Sequence, residues 1–301
     1  MHIAGYDKLS VNGKASMDLI VNFTPTGMIP TKEMTPHVPI SVPEIVQDVQ
    51  QAWEAGITMV HLHARDRVSG KPAYDADIYA ELIEGIRKFA PELIIAVSLS
   101  GRNFPEFEKR AAPLELDGSL KPDMGSLTLS SINFNRDPSI NSPEIIQQLA
   151  ARMRDKKILP ELEAFDAGML NYARYLEKKG LLEAPHYVNL IVGNIACAQA
   201  DLLHIGLMLK DLPEKSLWSL GGVGDVQLMV NSIAIATGGG VRVGLEDNIW
   251  FDEARTKPAR NIDLIRRIKN IADANGRSIM KPGALRQLLK LAPGNGSYGL
   301  Q

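Results

Sequence analysis

Short runs of consecutive apolar residues alternate along the chain with longer segments in which apolar residues recur every three or four positions. A short continuous apolar run is typical of a strand buried on both faces, and the wider spacing is typical of a helix with one buried face. The predicted strands are residues 17–23, 57–63, 93–99, 124–129, 158–164, 187–192, 216–220 and 241–244. The predicted helices that follow them are residues 41–56, 77–90, 104–112, 143–156, 167–179, 198–210, 225–237 and 258–275.

Eight strands, each followed by a helix, predict a parallel sheet that is covered by helices. Eight repeats favour closure into a barrel. The rival is an open doubly wound sheet, but that fold usually has a glycine-rich turn after its first strand, and here the turn is Thr-Pro-Thr-Gly at residues 24–27. We therefore predict a single (β/α)8 TIM barrel that forms one domain over residues 1–301. A short polar leader, residues 1–17, precedes it, and an appended helix within residues 278–291 could pack on a neighbour.

Composition narrows the class of protein. The 301 residues are 45% hydrophobic, with 33 basic against 35 acidic side chains, and no basic run is interleaved with aromatic residues as a nucleic-acid groove requires. No stretch stays apolar for about 20 residues, and the leader lacks the apolar core of a signal peptide. The single cysteine, Cys197, cannot form an internal disulfide. These features predict a cytoplasmic protein that binds neither nucleic acid nor membranes.

The second predicted strand ends in His61-Leu62-His63. A barrel carries its chemistry at the carboxyl ends of its strands, and strand periodicity sends both imidazoles to one side. Their Cα atoms would lie roughly 6 to 7 Å apart, which lets both rings reach one zinc ion at about 2.1 Å. The pair is a candidate chelate. The alternative is two hydrogen-bonded histidines of the core.

The eighth strand leads into a dense polar cluster that contains Arg242, Glu246 and Asp247. Glu246 would complete a set of two histidines and one glutamate, which leaves a coordination position open, as catalytic zinc sites do. A structural zinc site would need four protein ligands, usually with several cysteines. The alternative is that Glu246 and Asp247 form a solvated turn.

Other strand ends add polar residues whose individual signals are weaker: Ser98, Ser126, Thr128, Glu161 and Glu163. Two glutamates on a buried strand are costly unless cations or donors meet them, so they are expected in a polar network at the site, or in a structural ion pair with an arginine. Zinc-dependent hydrolysis is one chemistry for such a site. Barrel amidohydrolases, however, carry their histidine pair on strand one and further histidines on strands five and six. Strand five of this chain has glutamates instead.

Several motifs together resemble the β-keto acid cleavage enzyme family over nearly the whole chain. They are residues 26–27, 31–33, 60–66, 95–101, 132–134, 160–163 and 238–248. The resemblance implies a zinc-bearing barrel, with a homotetramer suggested by the family, in which a β-keto acid and acetyl-CoA give acetoacetate and a new acyl-CoA. By the same motifs, His61, His63 and Glu246 are the implied zinc ligands, and the zinc would hold the β-keto acid as its enolate.

The resemblance also implies catalytic roles for Arg242, Asp247, Ser98 and Glu163. Arg242 with Asp247 corresponds to the charged pair of the family's acid/base steps. An arginine has a pKa above about 12, so an electrostatic role for Arg242 comes before proton transfer. Ser98 corresponds to a serine near the reacting carbons, and Glu163 to a glutamate of the same network.

The implied substrate pocket contains Ser126 and Thr128, which stand where the family has threonine and asparagine, and it departs from the family at Ile29. The amine-cleaving members have at that position a glutamate that holds the substrate ammonium. An apolar residue there favours a neutral or aliphatic distal group. Asp225 could supply the missing anion, and Arg102 could instead attract a carboxylate. The remaining alternatives are a zinc hydrolase or aldolase on the same barrel, and a non-catalytic barrel that binds a metabolite.

Overall fold

Eight parallel strands close into a barrel in the computed structural model, which describes residues 10–11, 14–15 and 18–301. The strands follow one another around the barrel in chain order. They are β1 (Val21–Phe23), β2 (Met59–Leu62), β3 (Ile94–Val97), β4 (Met124–Thr128), β5 (Leu159–Ala164), β6 (His186–Val192), β7 (Ser216–Gly222) and β8 (Gly240–Val243). The predicted barrel is confirmed, and the alternative of an open doubly wound sheet is wrong.

Helices cover the barrel between consecutive strands. They are α1 (Val42–Ala55), α2 (Ala76–Arg87), α3 (Phe107–Ala111), α4 (Pro143–Asp155), α5 (Ala167–Lys178), α6 (Leu202–Lys210), α7 (Gln227–Thr237), α8 (Asn261–Ala274) and the appended α9 (Pro282–Leu288). Apolar residues from the strands and from the inner helix faces form the core between the two layers.

Several helix starts differ from the prediction, and two of them have a clear local reason. Helix α6 begins at Leu202 rather than at residue 198, because the Asp201 side chain caps it by accepting from the backbone N–H groups of Leu203 and His204. Helix α3 begins at Phe107 rather than at residue 104, since residue 105 is a proline and the residue before a proline disfavours helical backbone.

The appended helix α9 closes the amino-terminal end of this chain's own barrel. The expectation that it could pack on a neighbour stays a prediction. Met280, Leu285 and Leu289 lie in one buried cluster with Met59 and Ile94 of the barrel strands. Burial of this apolar surface is the stabilising contribution that fixes the helix there.

Arg286 of α9 adds a buried ion pair with Asp123, at 2.9 Å from Nη1 to Oδ1 and 2.8 Å from Nη2 to Oδ2. The bidentate contact gives the helix one orientation.

Two short antiparallel strand pairs lie outside the barrel, Ser10–Val11 with Lys14–Ala15 and Ile132–Asn133 with Pro138–Ser139. The predicted leader, residues 1–17, and the start of the first predicted strand at residue 17 fall largely outside the described residues. In the part of the chain that the structure describes, every helix is too short or too polar to cross a lipid bilayer. The one-domain organisation stays a prediction.

Candidate metal centre and active site

Three side chains meet at the carboxyl end of the barrel: His61 in β2, His63 just after β2, and Glu246 after β8. The Nε2 atoms of the two histidines lie 3.2 Å apart. His63 Nε2 lies 3.1 Å from Glu246 Oε1, and the second carboxylate oxygen, Oε2, is buried with no hydrogen-bond partner among the described residues. These three residues therefore aim their donor atoms at one small volume, with all three atoms within 4.8 Å of one another.

The arrangement fits a metal ion. A tetrahedral ion with bonds of about 2.1 Å separates its ligand atoms by about 3.4 Å, close to the separations among His61, His63 and Glu246. Two imidazoles and one carboxylate leave a coordination position open for another molecule. The unpartnered Glu246 Oε2 is a buried acceptor that a cation would satisfy.

His61 is oriented from behind by a buried carboxylate. Its Nδ1 donates a hydrogen bond to Glu161 Oε2 at 2.7 Å. The other ring nitrogen, Nε2, faces His63 and is left unprotonated, so its lone pair can bind a metal ion. Glu161 is itself held by two amides, since Asn22 Nδ2 and Asn189 Nδ2 donate to its Oε1 at 2.7 and 2.6 Å. A carboxylate behind a histidine is the usual arrangement around ligating imidazoles because it fixes the ring and its tautomer.

Glu246 is positioned by the loop that follows β1. Gly27 has φ of +64°, and a Cβ placed there would lie 2.5 Å from Glu246 Cγ, so only glycine lets the two loops approach this closely. The Glu246 backbone N–H also donates to Thr24 O at 3.2 Å. The buried Arg65 guanidinium holds the loop in place by donating to the carbonyls of Gly27, Pro30 and Gly70 at 2.9 to 3.0 Å.

Arg242 lies beside the three candidate ligands and contacts three carboxylates. Its Nη2 donates to Glu246 Oε1 at 2.6 Å, its Nε donates to Asp247 Oδ2 at 2.9 Å, and its Nη1 lies 3.5 Å from Glu163 Oε1. Thr128 Oγ1 donates to the other oxygen of Glu163 at 2.7 Å. The Glu246 and Asp247 side chains are only 14% and 9% exposed. The alternative interpretation, in which these two residues form a solvated turn, is therefore wrong.

The carboxylates around His61 favour positive charge at its ring, whereas burial lowers the pKa of His63. Burial lowers the pKa of His61, but the nearby carboxylates of Glu161 and Glu246 outweigh burial and raise that pKa to about 9. Burial opposes ionisation of Glu246 as well, yet His63 and Arg242 hold its pKa below its usual range. A field that favours a cation at the His61 ring also favours a metal ion between the rings.

The two remaining carboxylates behave differently. Burial raises the pKa of Glu163 and of Asp247, and the Arg242 guanidinium opposes that rise. Glu161 has its pKa lowered, because His61 and Arg242 outweigh its burial. The site thus contains carboxylates that prefer the charged form and others that are nearer to holding a proton.

The predicted serines lie beside this cluster. Ser126 is opposite Glu161 in the β4–β5 ladder, and its Oγ accepts from the Leu99 backbone N–H at 2.9 Å. Ser98 is buried and lines, together with His63 and Tyr79, a small cavity next to the candidate metal centre.

Three residues predicted for the substrate pocket make contacts away from the three candidate ligands. Ile29 is 48% exposed. Asp225 accepts from Arg255 Nη2 at 3.1 Å on the surface. Arg102 stacks its guanidinium 3.6 Å above the Phe134 ring, and its Nε is buried without a hydrogen-bond partner among the described residues.

Sequence reasoning missed two residues that support the site, Asn22 and Asn189. Each is the one amide in its barrel strand and has apolar neighbours on both sides, and a lone amide in a buried strand is a signal for a partner inside the barrel. It also missed the contact of Gly27 with Glu246, which nothing in the local sequence reveals.

Comparison with known proteins places the chain in a family. Residues 18–291 match the beta-keto acid cleavage enzyme family. A 3-keto-5-aminohexanoate cleavage enzyme from Fusobacterium nucleatum subsp. nucleatum is 33% identical over 275 residues, which cover 91% of this chain and 98% of that enzyme. A 3-oxoadipate:acetyl-CoA acetyltransferase from Cupriavidus necator is 34% identical over 277 residues, 90% of this chain and 94% of that protein.

A solved structure agrees with the fold. The apo structure of ObcA superimposes with a TM-score of 0.75 at 20% sequence identity, covering 84% of this chain and 65% of the ObcA chain. At that identity the likeness concerns the barrel alone. With the family match over residues 18–291 and relatives above 30% identity across nine tenths of its length, the chain belongs to the β-keto acid cleavage enzyme family.

Proposed function

We propose that this protein is a metal-dependent acyltransferase that converts a β-keto acid and acetyl-CoA into acetoacetate and a new acyl-CoA. The observation that carries the proposal is the convergence of His61, His63 and Glu246 beside Arg242, in a chain of this family. The relatives named above act on 3-keto-5-aminohexanoate and on 3-oxoadipate with acetyl-CoA, as their names state. The convergence of the side chains supports an open metal site, and the family match and the relatives' names support β-keto acid chemistry.

Zinc is the proposed ion, since two imidazole nitrogens and a carboxylate oxygen are ligands that catalytic zinc sites use. When bound, it would act as a Lewis acid for negative charge on the oxygens of the β-keto acid. The chain's own part is to hold the ion with His61, His63 and Glu246 and to fix the His61 ring through Glu161.

Arg242 supplies a permanent positive charge next to that site. The guanidinium is fixed from both sides, with Asp247 on Nε and Glu246 on Nη2, so it needs no reorganisation when negative charge develops on the substrate. The three carboxylates around it hold its pKa above the ordinary arginine value despite its burial, which makes Arg242 a poor proton acceptor. Its role is electrostatic, and Asp247 orients it.

Glu163 is the carboxylate that we propose accepts the substrate proton. Its Oε2 accepts from Thr128, while its Oε1 lies 3.5 Å from Arg242 Nη1, beyond a good hydrogen bond, and can take a proton. Its raised pKa brings it toward the range in which a general base works near neutral pH. Ser98 borders the cavity beside His63 and is proposed to lie against the reacting carbons.

The substrate's distal group is proposed to be neutral or aliphatic. Ile29 is apolar and cannot hold an ammonium. Asp225 already has a cationic partner in Arg255, which weakens the alternative that it supplies the anion for an amine. Arg102 has a buried Nε without a partner among the described residues, and it is the residue through which a carboxylate-bearing substrate would be recognised instead. Homotetramer formation and cytoplasmic location stay predictions.

The test is acyl transfer by the purified protein on a β-keto acid panel with acetyl-CoA, with acyl-CoA products read by mass. We expect turnover that a chelator abolishes and zinc restores, and we expect His61→Ala to lose both metal and turnover. His204→Ala is the matched control, because His204 is an exposed histidine on α6 that pairs with Asp201. Cleavage of the β-keto acid without acetyl-CoA would instead favour the hydrolase or aldolase. Unchanged turnover in His61→Ala would contradict a metal role.

A further inference from the structure

A basic groove runs along the outer side of α8, starting at the rim of the barrel. It encloses about 630 Å³, a size that fits a nucleotide. Its upper wall comes from the β8–α8 loop and from His37, which lies in the loop before α1, and its lower wall follows two turns of α8. The lining is His37, Phe251, Lys257, Pro258, Arg260, Asp263, Arg266, Arg267 and Asn270.

The groove carries a surplus of positive charge. Of its four cationic residues only Arg260 has an ion-pair partner within residues 18–301, through Asp263 at 2.8 Å. Lys257 and Arg266 are exposed, and within residues 18–301 they interact with Asp263 through its charge rather than through a direct ion pair. With four cationic side chains against the single carboxylate of Asp263, the groove attracts polyanions, and most strongly anions with several phosphate oxygens.

Phe251 holds two of these cations in place. Lys257 Nζ and Arg267 Cζ lie 4.6 and 4.5 Å from the centre of its ring. The Arg267 Nη1 group donates to the Phe251 carbonyl at 2.6 Å, while Arg267 Nε is buried with no hydrogen-bond partner in this part of the chain. The ring and the carbonyl of Phe251 therefore fix Arg267 at the wall of the groove.

The groove begins close to the metal centre. Arg260 precedes Asn261, whose Oδ1 accepts from the Leu245 backbone N–H at 2.9 Å, and Leu245 precedes the ligand Glu246. Summing these links gives an upper limit of about 15 Å between the Cα atoms of Arg260 and Glu246. A long flexible molecule can therefore have one end in the groove and the other at the metal centre.

We propose that this groove binds the phosphorylated adenosine end of coenzyme A. The inference rests on the acyl transfer proposed above. Coenzyme A carries three phosphates on its nucleotide end, and a flexible pantetheine arm separates them from the thioester. The cations would bind the phosphates at the rim, and the arm would bring the acetyl group to Arg242. Loops after the last barrel strands are also a frequent place for phosphate recognition in this architecture.

The kinetic test compares acetyl-CoA with S-acetylpantetheine, which has the same thioester without the nucleotide. The variant is the double substitution Lys257→Ala with Arg266→Ala, and the control is Lys269→Ala, an exposed cation of α8 outside the groove. We expect the double variant to raise KM for acetyl-CoA about tenfold, with kcat, KM for the β-keto acid and KM for S-acetylpantetheine unchanged. The Lys269→Ala variant should behave as the unsubstituted protein. An equal rise in KM for both thioesters would overturn the proposal.

Calorimetry with adenosine 3′,5′-bisphosphate tests the groove without any turnover. We expect binding that weakens with salt and is lost in the double variant but not in Lys269→Ala. Equal binding of inorganic phosphate, or unchanged binding in the double variant, would overturn the groove assignment. If the nucleotide binds but no protein variant transfers an acyl group from either thioester, the proposed function is rejected instead. Failure of the groove assignment and failure of the proposed function are therefore distinguishable.

Discussion

Replacement of Gly27 by alanine tests how tightly the loop after β1 positions Glu246. The new Cβ would lie 2.5 Å from Glu246 Cγ and 2.9 Å from its Cβ. Carbon atoms in ordinary contact are about 3.5 to 4.0 Å apart, so the two loops must separate by about 1 Å. The new residue also keeps a left-handed backbone, which costs about 1 to 2 kcal/mol.

The matched control is Gly118→Ala. Gly118 has φ of +60°, close to the +64° of Gly27, but a Cβ there meets nothing within 4 Å. Both variants should lose about 1 to 2 kcal/mol of unfolding free energy from the backbone alone. Only Gly27→Ala should also move Glu246, and a displaced supporting contact typically lowers metal affinity by about 10- to 100-fold.

The assay is a chelator-competition titration with zinc, run beside denaturant unfolding of both variants. A misplacement of about 1 Å in the site should also lower kcat by about 100-fold in Gly27→Ala. Equal zinc affinity in Gly27→Ala and Gly118→Ala would refute the reasoning that the Gly27 contact fixes the ligand.

Three further predictions concern single side chains. Glu161→Gln should weaken zinc affinity by about 10- to 100-fold in the same titration, because an amide cannot accept from His61 and from two asparagines at once. Arg242→Lys keeps the positive charge but loses the planar guanidinium with its several fixed N–H donors. We therefore expect kcat to fall by about 100-fold while the metal content stays unchanged. Burial raises the pKa of Asp48 from 3.8 to about 6, although Asn261 donates a hydrogen bond to it. Between these two pKa values the folded protein binds a proton that the unfolded chain has released. The free energy of unfolding therefore falls as the pH rises from 3.8 to about 6. Asp48→Asn should therefore gain about 1 to 3 kcal/mol over the unsubstituted protein at pH 7.5, with the gain vanishing near pH 4, in denaturant unfolding at both values.

The barrel was predictable because its strands and helices follow the apolar pattern locally. His61, His63 and Glu246 could be grouped because a barrel brings the carboxyl ends of its strands together, although His63 and Glu246 are 183 residues apart. That rule does not specify which side chain touches which.

The unpredicted features depend on contacts between distant parts of the chain. Glu161 lies 100 residues from His61, and the amides that hold Glu161 come from β1 and β6. The contact of Gly27 with Glu246 depends on the path of two loops. The packing of α9 under the barrel depends on an apolar cluster to which several strands contribute once the barrel is closed.

Acyl transfer itself is tested most directly with acetyl-CoA labelled in its acetyl group and an unlabelled β-keto acid. The proposed reaction predicts that the labelled acetyl group appears as the acetyl half of acetoacetate, and that the acyl group of the β-keto acid appears, unlabelled, on CoA. If the β-keto acid is cleaved while the label stays on acetyl-CoA, or is released as free acetate, the protein is not an acyltransferase of this type.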